Sequence, residues 1–494
     1  MTITQRYKDF IDIFPVFVEK RKKNGRQVFP KQGIMLIFAH GNLTLMKQKK
    51  IFIAAVALLA PLGGQAQKAA DWTLQDCIEY ALEHNIQLGK SRIAEEESEI
   101  DRKQSRAALF PSLSFSMTQS LQYRPLQQEP SNIVTNGMAT SSSHKLTENG
   151  SYGLNASWTV WNGGANRKTV RAQELAGRIA TLQTRETANS IQEQIARLYV
   201  QALYSQEAEK VNEKLCETAE RQYQRGVEMK NEGLLALADL AQLEAQLSSS
   251  RYDVVNARTR TADYKLQLKK LLEIDAGQRF NIASSLPADE AALSPLPAQA
   301  EVREQALKTR PEIQSGELGL QAADMNVAIA KAGFYPTLSL NAGLGDSHYS
   351  GSRSNAGEQM KQNLSASVGV TVSVPIFDNR RNRSTLEKAR LAQASERLDL
   401  QERRNTLSAT IEEYWLNAYN SQQQFMAARS KVQSMQTSYQ LLDERFKNGL
   451  TNIVELMTGR DNLLAALQEQ LQSKYTAILN LQLLGFYQGD PIRL

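Results

Sequence analysis

This 494-residue sequence predicts a mainly α-helical chain of two structural repeats, each carrying a pair of membrane-length β-strands. Three observations carry that prediction. An apolar seam runs Leu407, Ile411, Tyr414, Ala418, Phe425, Val432, Met435, Tyr439, Leu442, Phe446, with Ser421 and Ala428 as its small members. Its alternating steps of four and three are those of a coiled-coil seam rather than the wider stripe of a surface helix. Subtracting 216 returns much of the seam as Ile191, Ile195, Leu198, Ala202, Ser205, Cys216, Ala219 and Tyr223, interrupted by Glu209 and Asn212. Ahead of each copy lie two segments of about ten residues in apolar–polar alternation, the signature of strands.

Residues 1–66 read as a leader. Lys47, Lys49 and Lys50 precede the apolar run 51–60, and Gly64-Gln65-Ala66 closes it as a small-x-small processing signal. The run is shorter than the ~20 apolar residues of a spanning helix, which argues against an N-terminal anchor. Residues 46–66 are therefore expected to be a signal peptide starting at Met46, and residues 1–45 an upstream extension outside the native chain. Without the leader, 11 of 58 Lys and Arg and 3 of 52 Asp and Glu are lost. That leaves 47 against 49, a formal charge of −2. The basic balance belongs to the leader, and the case for a nucleic-acid partner goes with it.

The first repeat, residues 67–275, opens at Thr73, an N-cap candidate before Leu74, Ile78, Ala81 and Leu82. The helix it starts is expected to continue to about Leu109 and to stop at Phe110-Pro111, because proline drives its predecessor out of the helical region. A strand follows, with Leu113, Phe115 and Met117 against Ser112, Ser114 and Ser116. Residues 122–150 read as a polar loop. Tyr152, Leu154, Ala156, Trp158 and Val160 then form the apolar face of a second strand, ending at Trp161-Asn162-Gly163-Gly164. This strand pair spans about 112–161. A long helix over 165–232 turns at Gly233 and returns to about Glu273.

After an Ala/Ser/Pro linker, 276–299, the order recurs in a second repeat, 300–494. A helix from about Glu301 ends at Phe334-Tyr335-Pro336, and a strand pair over about 337–375 encloses a loop at 345–362. Its apolar faces are Leu338, Leu340, Ala342, Leu344 and then Leu364, Ala366, Val368, Val370, Val372, Val374. Ile376-Phe377-Asp378-Asn379 turns the corner, and a hairpin with its tip near Gly449 closes the chain. Pro111 and Pro336 are 225 apart and Trp161 and Phe377 are 216 apart, so the first strand pair is longer by nine residues, which its loop accommodates.

Strands of this length and alternation suit a tilted, membrane-spanning barrel with lipid on one face and water on the other. Four strands cannot close a barrel, and open edges in lipid leave backbone groups unpaired, so an oligomer is implied. The charged helices stand in water; at ~1.5 Å per residue, 68 residues reach ~100 Å. Nothing in the sequence suggests an enzyme. His84, His144 and His348 have no His or Cys at i+3 or i+4, and Cys77 and Cys216 have no metal-ligand neighbours. No catalytic residue, cofactor site or metal site is predicted. Because no cysteine follows the processing signal, a lipoprotein anchor is not available.

Together these residues resemble the TolC-like outer-membrane efflux proteins over about 70–485. The resembling features are the switches at Phe110-Pro111 and Tyr335-Pro336 and the corners Trp161-Asn162-Gly163-Gly164 and Phe377-Asp378-Asn379-Arg380. The tips at Gly233-Leu234 and Gly449-Leu450 complete the pattern. The resemblance implies a homotrimer with a twelve-stranded barrel in outer-membrane lipid, continued by a periplasmic α-barrel. It implies Gly233, Leu234, Gly449 and Leu450 as the docking tips for a periplasmic adaptor, and through it an inner-membrane pump. It also places Glu455, with Asp239 as its repeat counterpart, at the periplasmic aperture, although Thr458 stands where the family has a second acidic residue. Two alternatives stand beside an efflux conduit: the exit duct of a type I secretion system, and a soluble periplasmic coiled-coil scaffold.

Overall fold

The computed structural model describes residues 71–126, 131–135, 138–142, 145–283, 288–350, 352 and 354–494. Residues 1–66, where a signal peptide and an upstream extension are expected, and His144 lie outside the described residues. The first half contains α1 (Leu74–His84), α2 (Ile86–Ala107), β1 (Ser112–Tyr123), β2 (Ser131–Thr135), β3 (Met138–Ser142), β4 (Leu146–Asn162), α3 (Ala165–Asn231) and α4 (Leu237–Leu271). The second contains α5 (Asp289–Ala292), α6 (Gln299–Thr309), α7 (Pro311–Ala332), β5 (Thr337–Tyr349), α8 (Ala356–Asn363), β6 (Ser365–Ser373), α9 (Arg381–Lys447) and α10 (Ile453–Gln488).

Thr73 caps α1 in a reciprocal box: its hydroxyl accepts from Asp76 N–H at 3.2 Å, and Asp76 Oδ2 accepts from Thr73 N–H at 2.9 Å. The single helix expected to reach Leu109 is in fact two. Asn85 breaks it with extended backbone, caps α2 by accepting from Gln87 and Leu88 N–H, and donates to Leu271 O at 3.1 Å. The same break falls 225 residues later at Arg310, which Pro311 holds extended at the start of α7.

Both expected loops also carry structure. Within 122–150, β2 and β3 pair antiparallel; β-branched Ile133, Val134, Thr135 and Thr140 favour strand inside a polar composition that hides them. Within 345–362, β5 extends to Tyr349 beyond the end of β6, which leaves part of its edge without a partner strand. The Gln359 carboxamide fills that place: its Oε1 accepts from Tyr349 N–H at 2.9 Å and its Nε2 donates to Tyr349 O at 3.0 Å. Asn355 caps α8 and thereby positions Gln359.

The main sheet has the order β1–β4–β5–β6, antiparallel throughout. The helices follow the same order. Next to the sheet, α2 packs on α3, α3 on α7 and α7 on α9; farther away, α4 packs on α3, α3 on α10 and α10 on α9. At 67 residues each, α3 and α9 extend ~100 Å. Midway along them lies the main core, where Ile195, Leu203, Leu268, Ile313, Ile411 and Leu483 meet from five helices. Cys77 is buried there, and burial pushes its thiol up to about 12, which makes it an inert core residue.

Candidate functional site

Each register row of the sheet places residues of one kind side by side. Leu113 pairs with Ala156 and Phe115 with Leu154; Leu154 faces Leu344, Ala156 faces Ala342 and Trp158 faces Leu340. Leu340 and Ala342 in turn face Val370 and Val368. The intervening rows are Ser114–Asn155–Gly343–Ser367 and Ser112–Ser157–Asn341–Gly369. The result is a four-stranded wall with one continuous apolar face and one face of Ser, Gly, Asn and Thr. Nine residues of β6 at about 3.3 Å each, tilted by about 40°, cover roughly 23 Å, close to the ~25 Å apolar band of outer-membrane barrels.

The alternation assigned Val160 to the apolar face, but the structure corrects this. The register shifts between Thr159 and Trp161, so Val160 is the extra residue of a β-bulge and Trp161 pairs with Leu338 on the apolar side. Trp161 then meets the Tyr335 ring edge-on at 6.3 Å, and Trp158 Nε1 donates to Leu109 O at 2.8 Å. Pro111 and Pro336 stand immediately before β1 and β5. Phe377 lies in the corner after β6, 85% exposed.

Both corners into the long helices use two successive left-handed residues: Gly163 (φ 66°) and Gly164 (φ 77°), then Asn379 (φ 52°) and Arg380 (φ 67°). Only the first corner requires glycine for space, because a Cβ on Gly163 would stand 2.7 Å from Ala332 O.

Both tips end their helix in a Schellman turn. Gly233 and Gly449 are left-handed; Leu234 N–H donates to Met229 O at 2.8 Å and Leu450 N–H to Arg445 O at 2.9 Å. Leu234 and Leu450 are left 68% and 67% exposed. The hairpins are tied together behind them. Leu243, Phe446, Ile453 and Leu456 share one buried cluster. Gln222 on α3 donates to Tyr439 OH at 3.0 Å and to Asp443 at 2.9 Å on α9, and the buried Arg460 on α10 donates to Ser250 on α4 at 2.7 Å.

Glu455 and Asp239 both occupy the third position of their returning helix. Glu455 is held in place: its N–H donates to Asn452 Oδ1 at 2.8 Å, and its carboxylate accepts from Thr451 and Asn452 side chains. Asn452 is thus the N-cap and Glu455 the third helical residue that it holds, a helix start which the spacing Asn452-x-x-Glu455 already signals. Asp239 begins a helix whose N-cap, Ala236, has no side chain to contribute.

Two features were missed in the sequence. Ile86, Ile93 and Ile100 are exposed on α2, and Leu391 and Leu398 on α9. Both stripes repeat every seven residues, and that spacing on otherwise charged helices is the signal that could have revealed them. The two helices are the outer members of the helical row next to the sheet, as β1 and β6 are of the sheet. Among the described residues, no cluster of three or more His, Cys, Asp or Glu could hold a metal, and no helix is long and apolar enough to cross a membrane.

Comparison with known proteins agrees with this geometry. The family described as "Outer membrane efflux protein" matches residues 77–273 and 302–489. The Escherichia coli cation efflux system protein CusC is 22% identical over 74% of this chain and 77% of its own length. The Pseudomonas putida toluene efflux pump outer membrane protein TtgC is 23% identical over 82% of this chain and 80% of its own. Among solved structures, CusC superposes with a TM-score of 0.73 at 18% identity, covering 85% of this chain and 93% of that one. The Campylobacter jejuni CmeC outer membrane channel gives 0.68 at 22% identity, covering 84% and 86%.

Proposed function

The chain belongs to the outer membrane efflux protein family, and from that premise we propose that it is the outer-membrane channel of a tripartite efflux pump. It is a passive conduit and not an enzyme. It sits in the outer membrane of a Gram-negative cell, with its helices in the periplasm.

One observation carries the reading furthest: the two-faced sheet and its helices share a single lateral order with both outer edges unfinished. Among the described residues, β1 and β6 each lack a partner strand on one side, and α2 and α9 each expose an apolar stripe below them. Joining the β1/α2 edge of one copy to the β6/α9 edge of the next satisfies the backbone in lipid and buries both stripes. Three copies make twelve strands and a continuous helical wall, two repeats per copy. The exposed leucines Leu234 and Leu450 support docking of a periplasmic adaptor at the tips, which couples the channel to an inner-membrane pump. Glu455 and Asp239 stand at the aperture end of the returning helices. Relatives are named for cation and toluene efflux, so the cargo is set by the pump rather than by this wall.

The test is reconstitution. Protein extracted from the outer membrane in detergent is expected to run as a trimer and to conduct in planar bilayers. I93D and L398D, at opposite edges, are each expected to abolish both. E455A in the same bilayers is expected to shift cation preference, and an unchanged profile removes Glu455 from the aperture. Recovery of the wild type as a soluble monomer overturns the conduit and favours the periplasmic scaffold.

A further inference from the structure

The helix ends that adjoin the sheet carry an unusual charge. Segments 99–110, 163–175, 323–336 and 376–390 hold twelve Lys and Arg against six Asp and Glu, a net +6, whereas residues 67–494 as a whole carry −2. Half of the excess comes from shared pairs. Glu99 is held by Arg102 and Lys103, Glu174 by Arg106 and Arg171, and Glu387 by Arg380 and Arg383. In each trio two cations share one carboxylate, so one positive charge is left over. Paired guanidinium groups hold all three carboxyls below the usual range, so the carboxylates stay ionised and the trios keep this composition at neutral and mildly acidic pH.

The charges match only in part across the two halves: Arg106 and Arg167 have Lys331 and Arg383 at the corresponding positions, whereas others have no cationic counterpart. Arg102 and Lys103 have Val327 and Ala328 at the 225-residue offset, and Lys168 and Arg171 have Ser384 and Glu387 at the 216-residue offset. Both halves nevertheless place cations at the same level.

That level is defined by the sheet. Phe110, Trp161, Phe334, Tyr335, Ile376 and Phe377 are all exposed at the strand ends, as the aromatic and apolar margin of a membrane barrel would be. Arg106, Arg171 and Arg383 lie within two helical turns of those ends, ~10 Å at ~1.5 Å per residue. The headgroup zone on one side of a bilayer is roughly 5–8 Å deep, and long Lys and Arg side chains snorkel along apolar surface to reach it.

We propose that this cationic collar binds the phosphates of anionic phospholipids in the periplasmic leaflet, so that the protein recruits those lipids around its neck. The proposal rests on the membrane-barrel reading. A protein in water gains nothing from cations gathered beside an exposed aromatic margin. At a leaflet surface each Lys or Arg adds attraction that falls off over the Debye length.

The experiment uses the mature, reconstituted protein in phosphatidylethanolamine vesicles containing a minor fraction of spin-labelled phosphatidylglycerol or spin-labelled phosphatidylcholine. The motionally restricted fraction of each label reports its preference for the protein surface. Wild type is expected to favour phosphatidylglycerol by at least about threefold at low salt and to lose the preference near 1 M salt. K103Q/R171Q/R381Q/R383Q, which alters exposed side chains only, is expected to bring the preference close to one while its single-channel conductance stays that of wild type. A conducting wild type with no preference between the labels overturns the collar and leaves the channel standing. Failure of the wild type to insert or conduct sinks the channel reading, and the collar with it. A preference that survives both salt and the four substitutions assigns selectivity to the aromatic margin and also overturns the proposal.

Discussion

The two hairpins share a length, a turn and a register, yet they are not equally built. The second keeps an almost unbroken seam, with Phe425 fully buried. At the corresponding place the first has Glu209, and instead of Ala428 it has Asn212, whose side chain turns back to donate to Ala208 O at 2.7 Å. The second tip is capped by Asn452, while the first opens its returning helix on Ala236 without a side-chain cap. The hairpins therefore share backbone geometry but differ in their stabilising side chains, and the second is expected to be the stiffer one. The first also holds its α4 through surface ion pairs, such as Arg258 with Glu213 at 2.6 Å, which contribute little in water.

Substitution at matched positions should separate the hairpins. The largest difference is expected at the seam: Phe425→Ala costs about 3–5 kcal/mol through lost burial and a cavity. Glu209→Ala, which removes a half-buried side chain and its 3.5 Å ion pair with Arg258, costs no more than about 1 kcal/mol. Thermal unfolding in detergent checks both, and equal shifts would remove the asymmetry. At the tips the expected effect is smaller and opposite in sign. Asn452→Ala costs about 1 kcal/mol by removing the cap, and Ala236→Asn recovers a similar amount at the uncapped helix. Hydrogen exchange at the first turns of α4 and α10 reads each change locally.

The smallest effect depends on pH. Glu186 is partly buried near Glu312, and burial followed by that like charge raises its carboxyl above the ordinary range; its counterpart Glu402 is exposed. A raised folded value means that stability is fully present below the unfolded carboxylate range and is lost as pH rises through the folded value. Glu186→Gln should therefore raise the melting temperature slightly at neutral pH and not below about pH 4, where both forms are neutral.

The hairpins were legible in the sequence because a seven-residue seam and a glycine at its end leave few alternatives. The corners were legible because Gly163-Gly164 and Asn379 tolerate the left-handed region. The break at Asn85 was not, because Asn85 sits inside a helix-compatible stretch and its deciding contact, Leu271 O, is 186 residues away. The bulge at Val160 was hidden for a different reason. Val160 and Trp161 are both apolar, so alternation cannot say which of them faces outward; the pairing of Trp161 with Leu338 decides it. At the tips, Gly233, Leu234, Gly449 and Leu450 and the Asn452-x-x-Glu455 helix start could be located from their spacing, but the contacts of the Thr451 and Asn452 side chains with the Glu455 carboxylate required the turn geometry.

The shared order of strands and helices has a final consequence. Because β1 and β6 are different strands, the contact between copies in the proposed trimer would join unlike surfaces, head to tail. Such a contact has no twofold partner and ends only when the series returns to its start, so the subunit number is written in the angle between neighbours and not in any pairing code. A ring of this kind is only as complete as its worst joint. One copy with a damaged edge should therefore spoil the copies beside it, and in a cell making both forms the defective one should dominate.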